Sequence, residues 1–559
     1  MEARKSKFVV KVLPSLTDFA FLMPLLFLFF RMDGGKSLLG DADVGWHIRT
    51  GDWILANHRA PMRDLFSFSK PGQAWYAWEW LTDVLWSWLH AKGGLAALVL
   101  FSSLLLAFTF AMVFRLARRK ANPVAALAVT MVAAAASSLH WLARPHLFTM
   151  LFAVIFYMLL ERVRAGRGRL SGMRGLILLP AATILWTNLH GGFFVGILMV
   201  GTYAAGEALR AALSGDPGER RTAWRAARGY AWCAAACLAA SLVNPYGYRL
   251  HQHVFQYLRD PFERQYIVEF LSLNFHHPAA IFFEILLLLG IAAAFWNVSR
   301  RSFIEPLLIL FWAHVALLAA RNIPLFAIVV APPLAEAIAH WLDWLPRSDA
   351  AGWLRAASGR VNALTAELAD TDSIPRWHVV SALGFLALAA LLFAPHPPAK
   401  FRSEFDPGAF PAAAVDALRA DATARIFAYD QWGDYLIYRL YPRTRVLIDG
   451  RSDFYGAEFE KKVLSVENVK FDWQRTLNEF GIDTILLSPS APLCGALKES
   501  SRWRLVYDDG VALVFRPVRR AAGQTESAAG ANGGTGRDRE VTKLEARGLK
   551  ITQNNHSTT

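Results

Sequence analysis

"LTDFAFLMPLLFLFFRMDGGKSLLGDADVGWHIRTGDWIL", residues 16–55, decides how this chain folds. An apolar run long enough to cross a hydrocarbon core ends at Arg31. About ten residues later comes a dense polar patch holding Asp41, Asp43, His47, Arg49 and Asp52 beside Trp46 and Trp53. A helix over 42–55 places Asp43, Trp46, His47 and Thr50 on one face by their i, i+3, i+4, i+7 spacing. Asp41 suits the N-terminal cap of that helix. Trp46 and Trp53 fit the role of interfacial anchors.

The rest of the chain repeats the apolar theme. Of 559 residues, 54% are hydrophobic and only 19% charged, where a soluble enzyme carries about a quarter. Hydropathy marks about eleven spans, near 13–30, 93–114, 122–140, 146–163, 174–188, 191–209, 229–243, 279–296, 303–319, 323–341 and 377–395. The fold class is therefore a polytopic α-helical membrane protein. The net charge of +14 could suggest nucleic acid. Its lysines and arginines instead sit in loops between spans, so nucleic acid is excluded as a partner. Three cysteines, two of them inside a span, imply neither a disulfide framework nor a metal motif. The basic N-terminus reads as an uncleaved anchor.

Orientation follows from the same cations. RLARRK (115–120), RVRAGRGRLSGMRG (162–175), ERRTAWRAAR (219–228), SRR (299–301) and the 343–376 loop belong, with the N-terminus, in the cytoplasm. The loops holding 31–92, HWLARPH (140–146), NLHGG (188–192), NPYGYRLHQH (244–253) and ARNIP (320–324) then face outside. Residues 1–398 form the membrane domain, with 31–92 as its first outer loop. Over 399–518, runs such as ARIFAY, TRVLID, TILLSP, WRLVYD and ALVFRP alternate with helical segments, which argues a small extracytoplasmic α/β domain. Residues 519–559, rich in Gly, Ser, Thr and Ala, read as a disordered tail.

Polar motifs gather on the outer side. Glu79 and Asp83 lie i, i+4 within a belt of tryptophans, and acids among indoles suit a sugar. Arg144 and His146, Asn188 and His190, Asn244, and Arg321 lie at outer span ends. A guanidinium there can grip a lipid phosphate with two parallel hydrogen bonds. Each of these residues also has a plainer reading as a turn, a helix cap or a side chain reaching for headgroups. In the C-terminal part, Asp430, Trp432, Asp434, Asp449 and Arg451 form the densest polar stretch, near strand ends or turns.

On these residues the chain resembles the GT-C superfamily of membrane glycosyltransferases: protein mannosyltransferases, aminoarabinose transferases and oligosaccharyltransferases. Their essential acid lies in the first outer loop, where this sequence has DADVGWHIRTG. The resemblance implies a transferase that moves a sugar from a polyprenyl-phosphate or diphosphate donor to a glycan, lipid or protein acceptor by inverting displacement. It points to Asp43, with Asp41 second, as the catalytic acid residue, and to Arg321 as the phosphate ligand. His47 would position the acid or the acceptor. Arg49, Glu79, Asp83, Arg144, His146, Asn188, His190, Asn244 and Arg321 make up the expected binding set. Val44 follows Asp43 where mannosyltransferases carry Glu, and QWGDY (431–435) only echoes the oligosaccharyltransferase Trp-Trp-Asp-x-Gly motif. No cofactor is fixed by the sequence; Asp41, Asp43 and His47 could offer oxygen and nitrogen ligands to a divalent metal, though three donors alone do not decide it. The expected location is the inner membrane of a bacterium, N-terminus inside. A flippase of lipid-linked glycans and a non-catalytic envelope-assembly protein are the rival readings.

Overall fold

A computed structural model describes residues 11–166, 172–372, 374–419 and 424–518. The tail expected over 519–559 lies outside the described residues, as does the basic segment 1–10. Six helices are long and apolar enough to cross a membrane: Trp80–Ala117, Pro123–His140, His146–Arg164, Gly191–Leu213, Ala280–Ser299 and Ala320–Arg347. Three shorter apolar helices, Gly175–Leu189, Ile304–Leu318 and Val379–Leu392, join them. The protein is an integral membrane protein.

Helix α1 (Leu16–Leu26) starts at a capping box, in which Ser15 and Asp18 satisfy each other's backbone N–H groups, and ends in a π-turn at Phe27–Arg31. Helix α2 (Asp43–Asn57) is the polar helix expected over 42–55. Trp46 is buried in the core rather than lying as a surface anchor, because its ring packs on His47 and Trp75. Helix α3 (Trp80–Ala117) begins well before the apolar run at 93, and kinks at Gly93 and Gly94, where Gly94 has φ +61°. That backbone state favours glycine, and it joins the tryptophan-rich segment to the apolar one.

Helices α4 (Pro123–Ser137), α5 (His146–Arg164), α6 (Leu178–Leu189), α7 (Phe194–Leu213), α8 (Pro217–Ala240), α9 (Tyr248–Arg259), α10 (Ala280–Ser299), α11 (Ile304–Leu318) and α12 (Ile323–Trp344) follow. Helix α12 is central. Every residue from Ile323 to Ala335 is buried, as expected for a helix apolar on all sides, and it packs against α3, α4, α5, α10 and α11. Helix α10, by contrast, exposes Leu288 and Phe295, the pattern of a lipid-facing helix.

Helices α13 (Gly352–Asp372) and α14 (Val379–Leu392) lead to a four-stranded sheet: β1 (Ile426–Phe427), β2 (Thr484–Leu487), β3 (Trp503–Asp508) and β4 (Leu513–Pro517). Its order is β1-β2-β4-β3, with β1 and β2 parallel and the other pairs antiparallel. TRVLID (444–449) is not a strand of this sheet. Val446 makes a single parallel bridge to Ile426 of β1, and on its other side donates its N–H to Phe66 O (3.0 Å) and accepts from Phe68 N–H (2.9 Å), so it joins the sheet to the segment after α2. Helix α15 (Asp430–Leu440), which carries QWGDY, docks on α2. The approach is close enough that a Cβ on Gly45 would meet Tyr438 Cβ at 2.8 Å.

Candidate active site

The first turn of α2 aims two carboxylates at one guanidinium. Asp41 Oδ1 accepts the Asp43 N–H at 2.9 Å, which satisfies a helix-end donor. Its other oxygen takes Arg144 Nη1 at 2.7 Å, and Asp43 Oδ2 takes Arg144 Nη2 at 2.6 Å. Arg144 sits in the turn before α5, and its Nη1 also lies 3.5 Å from Glu269 Oε2. Glu269 Oε1 is 3.0 Å from Arg321 Nη1, and the Arg321 guanidinium covers the Phe270 ring at 4.5 Å. Burial works to raise the Glu269 carboxyl, but Arg321 and Arg144 hold it down at about 2.

A second row of groups crosses behind Asp43. His47 Nδ1 lies 2.6 Å from Asp83 Oδ1, and its Nε2 lies 3.5 Å from Glu79 Oε2. Glu79 Oε1 lies 3.2 Å from His190 Nε2. Burial pushes the Glu79 carboxyl up to about 8, and burial holds both imidazoles neutral, His190 at about 3.

The C-terminal part supplies a third element. Asp434, on α15, is fully buried and accepts the Gly450 N–H at 2.9 Å. Asp434 Oδ2 and Asp43 Oδ1 are both buried without a conventional donor, and both crowd the site where a Cβ on Gly450 would stand. One shared proton satisfies both oxygens. Burial and the negative charges of Asp43 and Asp449 raise Asp434 well above the carboxylate range. Burial also raises Asp43, but Arg144 favours its ionised form. Asp43 and Asp434 thus form a coupled, buried acid pair, with Arg144 drawing negative charge toward its Asp43 end.

Part of this constellation lines a cavity of about 360 Å³. Asp43, Glu79, Arg144, His190, Glu269 and Arg321 form its polar head. Its opposite wall, with Phe194, Leu198, Phe311 and Val315, is apolar, and Leu198 and Phe311 are exposed on the outside of the bundle. Tyr76 and Trp78, stacked near His253, add an aromatic flank, and His253 Nε2 pairs with Asp453 Oδ2 at 2.8 Å.

Of the residues expected from sequence, Asp41, Asp43, His47, Glu79, Arg144, His146, His190 and Arg321 gather at this head or beside it, with Asp83 behind His47. His146 Nε2 is 2.9 Å from His140 O. Three fall elsewhere. Arg49 clamps the Tyr438 carbonyl at 2.5 and 3.1 Å and pairs with Asp52. Asn188 bonds Trp80 and the Ile184 and Val243 carbonyls. Asn244 closes its own turn through Ser241, Tyr246 and Gly247. These are local structural bonds, the plainer reading of those motifs. Glu269 was missed, since no motif surrounds it. Asp434 was noted only as part of a polar stretch.

Among the described residues, no group of three or more His, Cys, Asp or Glu side chains is placed to hold a metal ion. One oxygen each of Asp41 and Asp43 is taken by the Arg144 guanidinium, while Asp43 Oδ1 has no conventional hydrogen-bond partner.

No family model matches the sequence, and no curated protein matches it either. Solved structures do. The Archaeoglobus fulgidus oligosaccharyltransferase, tethered with an acceptor peptide containing the NVT sequon, is 12% identical, with a TM-score of 0.54. The match covers 84% of this chain and 68% of that one. The archaeal oligosaccharyltransferase AglB from the same organism, in complex with an inhibitory peptide and a dolichol-phosphate, gives 12% identity and a TM-score of 0.52 over 85% and 69% of the two chains. ArnT from Cupriavidus metallidurans in the apo state is 15% identical over 89% and 97%, at a TM-score of 0.45. The chain shares the fold of these archaeal oligosaccharyltransferases.

Proposed function

We propose that this protein is a membrane glycosyltransferase of GT-C type working at the outer face of a bacterial inner membrane. It takes a sugar from a polyprenyl-phosphate donor and passes it to an acceptor hydroxyl. The single observation that carries the reading is the cavity itself. A guanidinium-bearing polar head, Arg144 and Arg321, adjoins an apolar wall open to the bundle exterior, a shape suited to a phosphate with a lipid tail. An archaeal structure of this fold holds a dolichol-phosphate.

In this reading Asp43 removes the acceptor proton as the acceptor oxygen attacks the anomeric carbon from the face opposite the phosphate. Asp434 holds the second Asp43 oxygen in place. Arg144 and Arg321 orient the departing phosphate. The aromatic flank of Tyr76 and Trp78 offers apolar faces to a sugar ring. The test is transfer from a labelled polyprenyl-phosphate sugar, in detergent or vesicles, to extracted envelope acceptors. Product that disappears with Asp43→Asn supports the reading. An Asp43→Asn protein with full activity would rule the base assignment out, and lipid movement without transfer would favour the flippase.

A further inference from the structure

The cations at the cavity head are outnumbered. Arg144 and Arg321 face Asp41, Asp43 and Glu269, so both guanidiniums are already engaged by the protein's own carboxyls before a donor arrives. When the glycosidic bond breaks, the lipid phosphate gains a further negative charge in a buried site, where unbalanced charge is costly. The two arginines alone cannot balance it. A proton can.

The row behind Asp43 is arranged to hold one. His190 Nδ1 accepts the Gly192 N–H at 3.0 Å. Thr149 Oγ1 accepts the Trp186 Nε1–H at 3.0 Å and so turns its own hydrogen toward His190 Nδ1, 2.7 Å away. With Nδ1 used as an acceptor, the neutral His190 ring carries its hydrogen on Nε2 and donates it to Glu79 Oε1. His47 spans the gap between two buried carboxyls, Asp83 on Nδ1 and Glu79 on Nε2. A neutral imidazole there permits two arrangements. In one, Asp83 is ionised and Glu79 carries the proton. In the other, the proton has moved to Asp83 and His47 donates to Glu79. The net charge is the same in both. Asp83 and Glu79 therefore share one proton through the ring, and Glu79 is the end that meets the cavity. The 3.5 Å from His47 Nε2 to Glu79 Oε2 becomes a hydrogen bond after a small turn of the carboxyl.

Building on the transferase reading, we propose that the Asp83–His47–Glu79 row is the site's proton donor, with Glu79 protonating the phosphate oxygen that leaves with the lipid. The bond between the anomeric carbon and that oxygen breaks, and its electron pair stays on oxygen. Glu79 gives that oxygen its proton. The new bond forms to the acceptor oxygen, whose proton goes to Asp43. Turnover ends with Asp43 protonated and Glu79 ionised, and exchange with solvent resets both. The groups facing Glu79 are His47, Asp83, His190, Arg144, Arg321, Glu269 and Asp453. The buried Glu79 carboxyl, at about 8, keeps its proton at neutral pH.

Two measurements on the full-length protein test this. The first is the binding of a polyprenyl phosphate in detergent micelles at about pH 7 and about pH 9.5, a range in which the free phosphate changes charge little above about pH 8. Affinity of the wild type should weaken about five- to tenfold at the higher pH, as an ionised Glu79 repels the phosphate, while Glu79→Gln shows no such loss. Equal wild-type affinity at both pH values, or the same loss in Glu79→Gln, overturns the proposal. The second is the pH profile of transfer. The wild-type rate should fall above about pH 8, Glu79→Gln should be slowed more than tenfold and lack that limb, and Asp83→Asn should move the limb to lower pH. Asp83→Asn keeps the test open if Glu79→Gln does not fold; an unmoved limb counts against the row. Transfer with a limb unaltered in Glu79→Gln breaks the relay and leaves the transferase. Titrating lipid binding without any transfer breaks the transferase reading itself.

Discussion

Helices α3, α5 and α12 each carry charge clusters at both ends, and the two ends differ in kind. At the end away from the cavity, Lys120 meets Glu161 at 2.6 Å and Glu305 at 3.4 Å, Arg164 meets Glu305 at 2.5 Å, and Arg300 meets Glu336 at 3.1 Å. Three cations face three carboxylates, and the Tyr203 hydroxyl closes on Glu161 at 2.5 Å. None of these side chains holds a buried atom without a partner. At the cavity end, two guanidiniums face three carboxylates, and Asp43 Oδ1, Asp83 Oδ2 and Asp434 Oδ2 lack conventional donors. A balanced, saturated network ties helices together. An unbalanced one bordering a cavity leaves its electrostatics to be completed by a ligand.

Substitutions can break or sharpen that contrast. Asp43→Asn should lower transfer by about 10²–10⁴-fold, since it removes a proton acceptor, while Arg144 loses one ion pair but keeps Asp41. Its melting temperature should stay near that of the wild type. Arg144→Met should act on both counts. It strands Asp41 and Asp43 together, destabilises by about 3–5 kcal/mol in thermal unfolding, and abolishes polyprenyl-phosphate binding. Lys120→Met tests the saturated end: it should lower stability by about 3 kcal/mol while activity per folded molecule stays within about twofold. If it instead abolished transfer without loss of stability, the contrast would fail. Asp434→Asn keeps an N–H for Asp43 and should lower the rate about tenfold, whereas Asp434→Ala should lower it further. Arg49→Ala should be the mildest. It loses the clamp on the Tyr438 carbonyl, lowers stability by about 1 kcal/mol, and leaves KM unchanged.

How much of this could be read from the chain follows from the range of each interaction. The α2 helix and its polar face were legible because helical spacing is local: Asp43 and His47 share a turn. The apolar segments were legible for the same reason. That Arg144, His190 and Arg321 gather with them was legible as a side of the membrane, since all lie at corresponding span ends, though not as a set of contacts. Glu269 sits in a connecting segment with no repeat, motif or cap to mark it, and only tertiary packing gives it two arginine partners. Asn188 and Asn244 looked alike in sequence to true site residues, because an amide that closes a turn and one that binds a ligand carry the same letter. TRVLID had the composition of a strand, but apart from a single bridge to Ile426 its partner proved to be Phe66 and Phe68, some 380 positions earlier, and β-pairing over such a distance leaves no local trace.

The seam between Val446 and the Phe66–Phe68 backbone, with Gly450 wedged against Asp43 and Asp434, bears on how such a protein can diversify. The sheet-bearing C-terminal part is not a detachable cap. A chimera that inherits the helical bundle from one homologue and the sheet from another would bring mismatched halves of one acid pair together. Any lineage that exchanges this part must therefore carry α2 along with α15, or rebuild the contact from both sides.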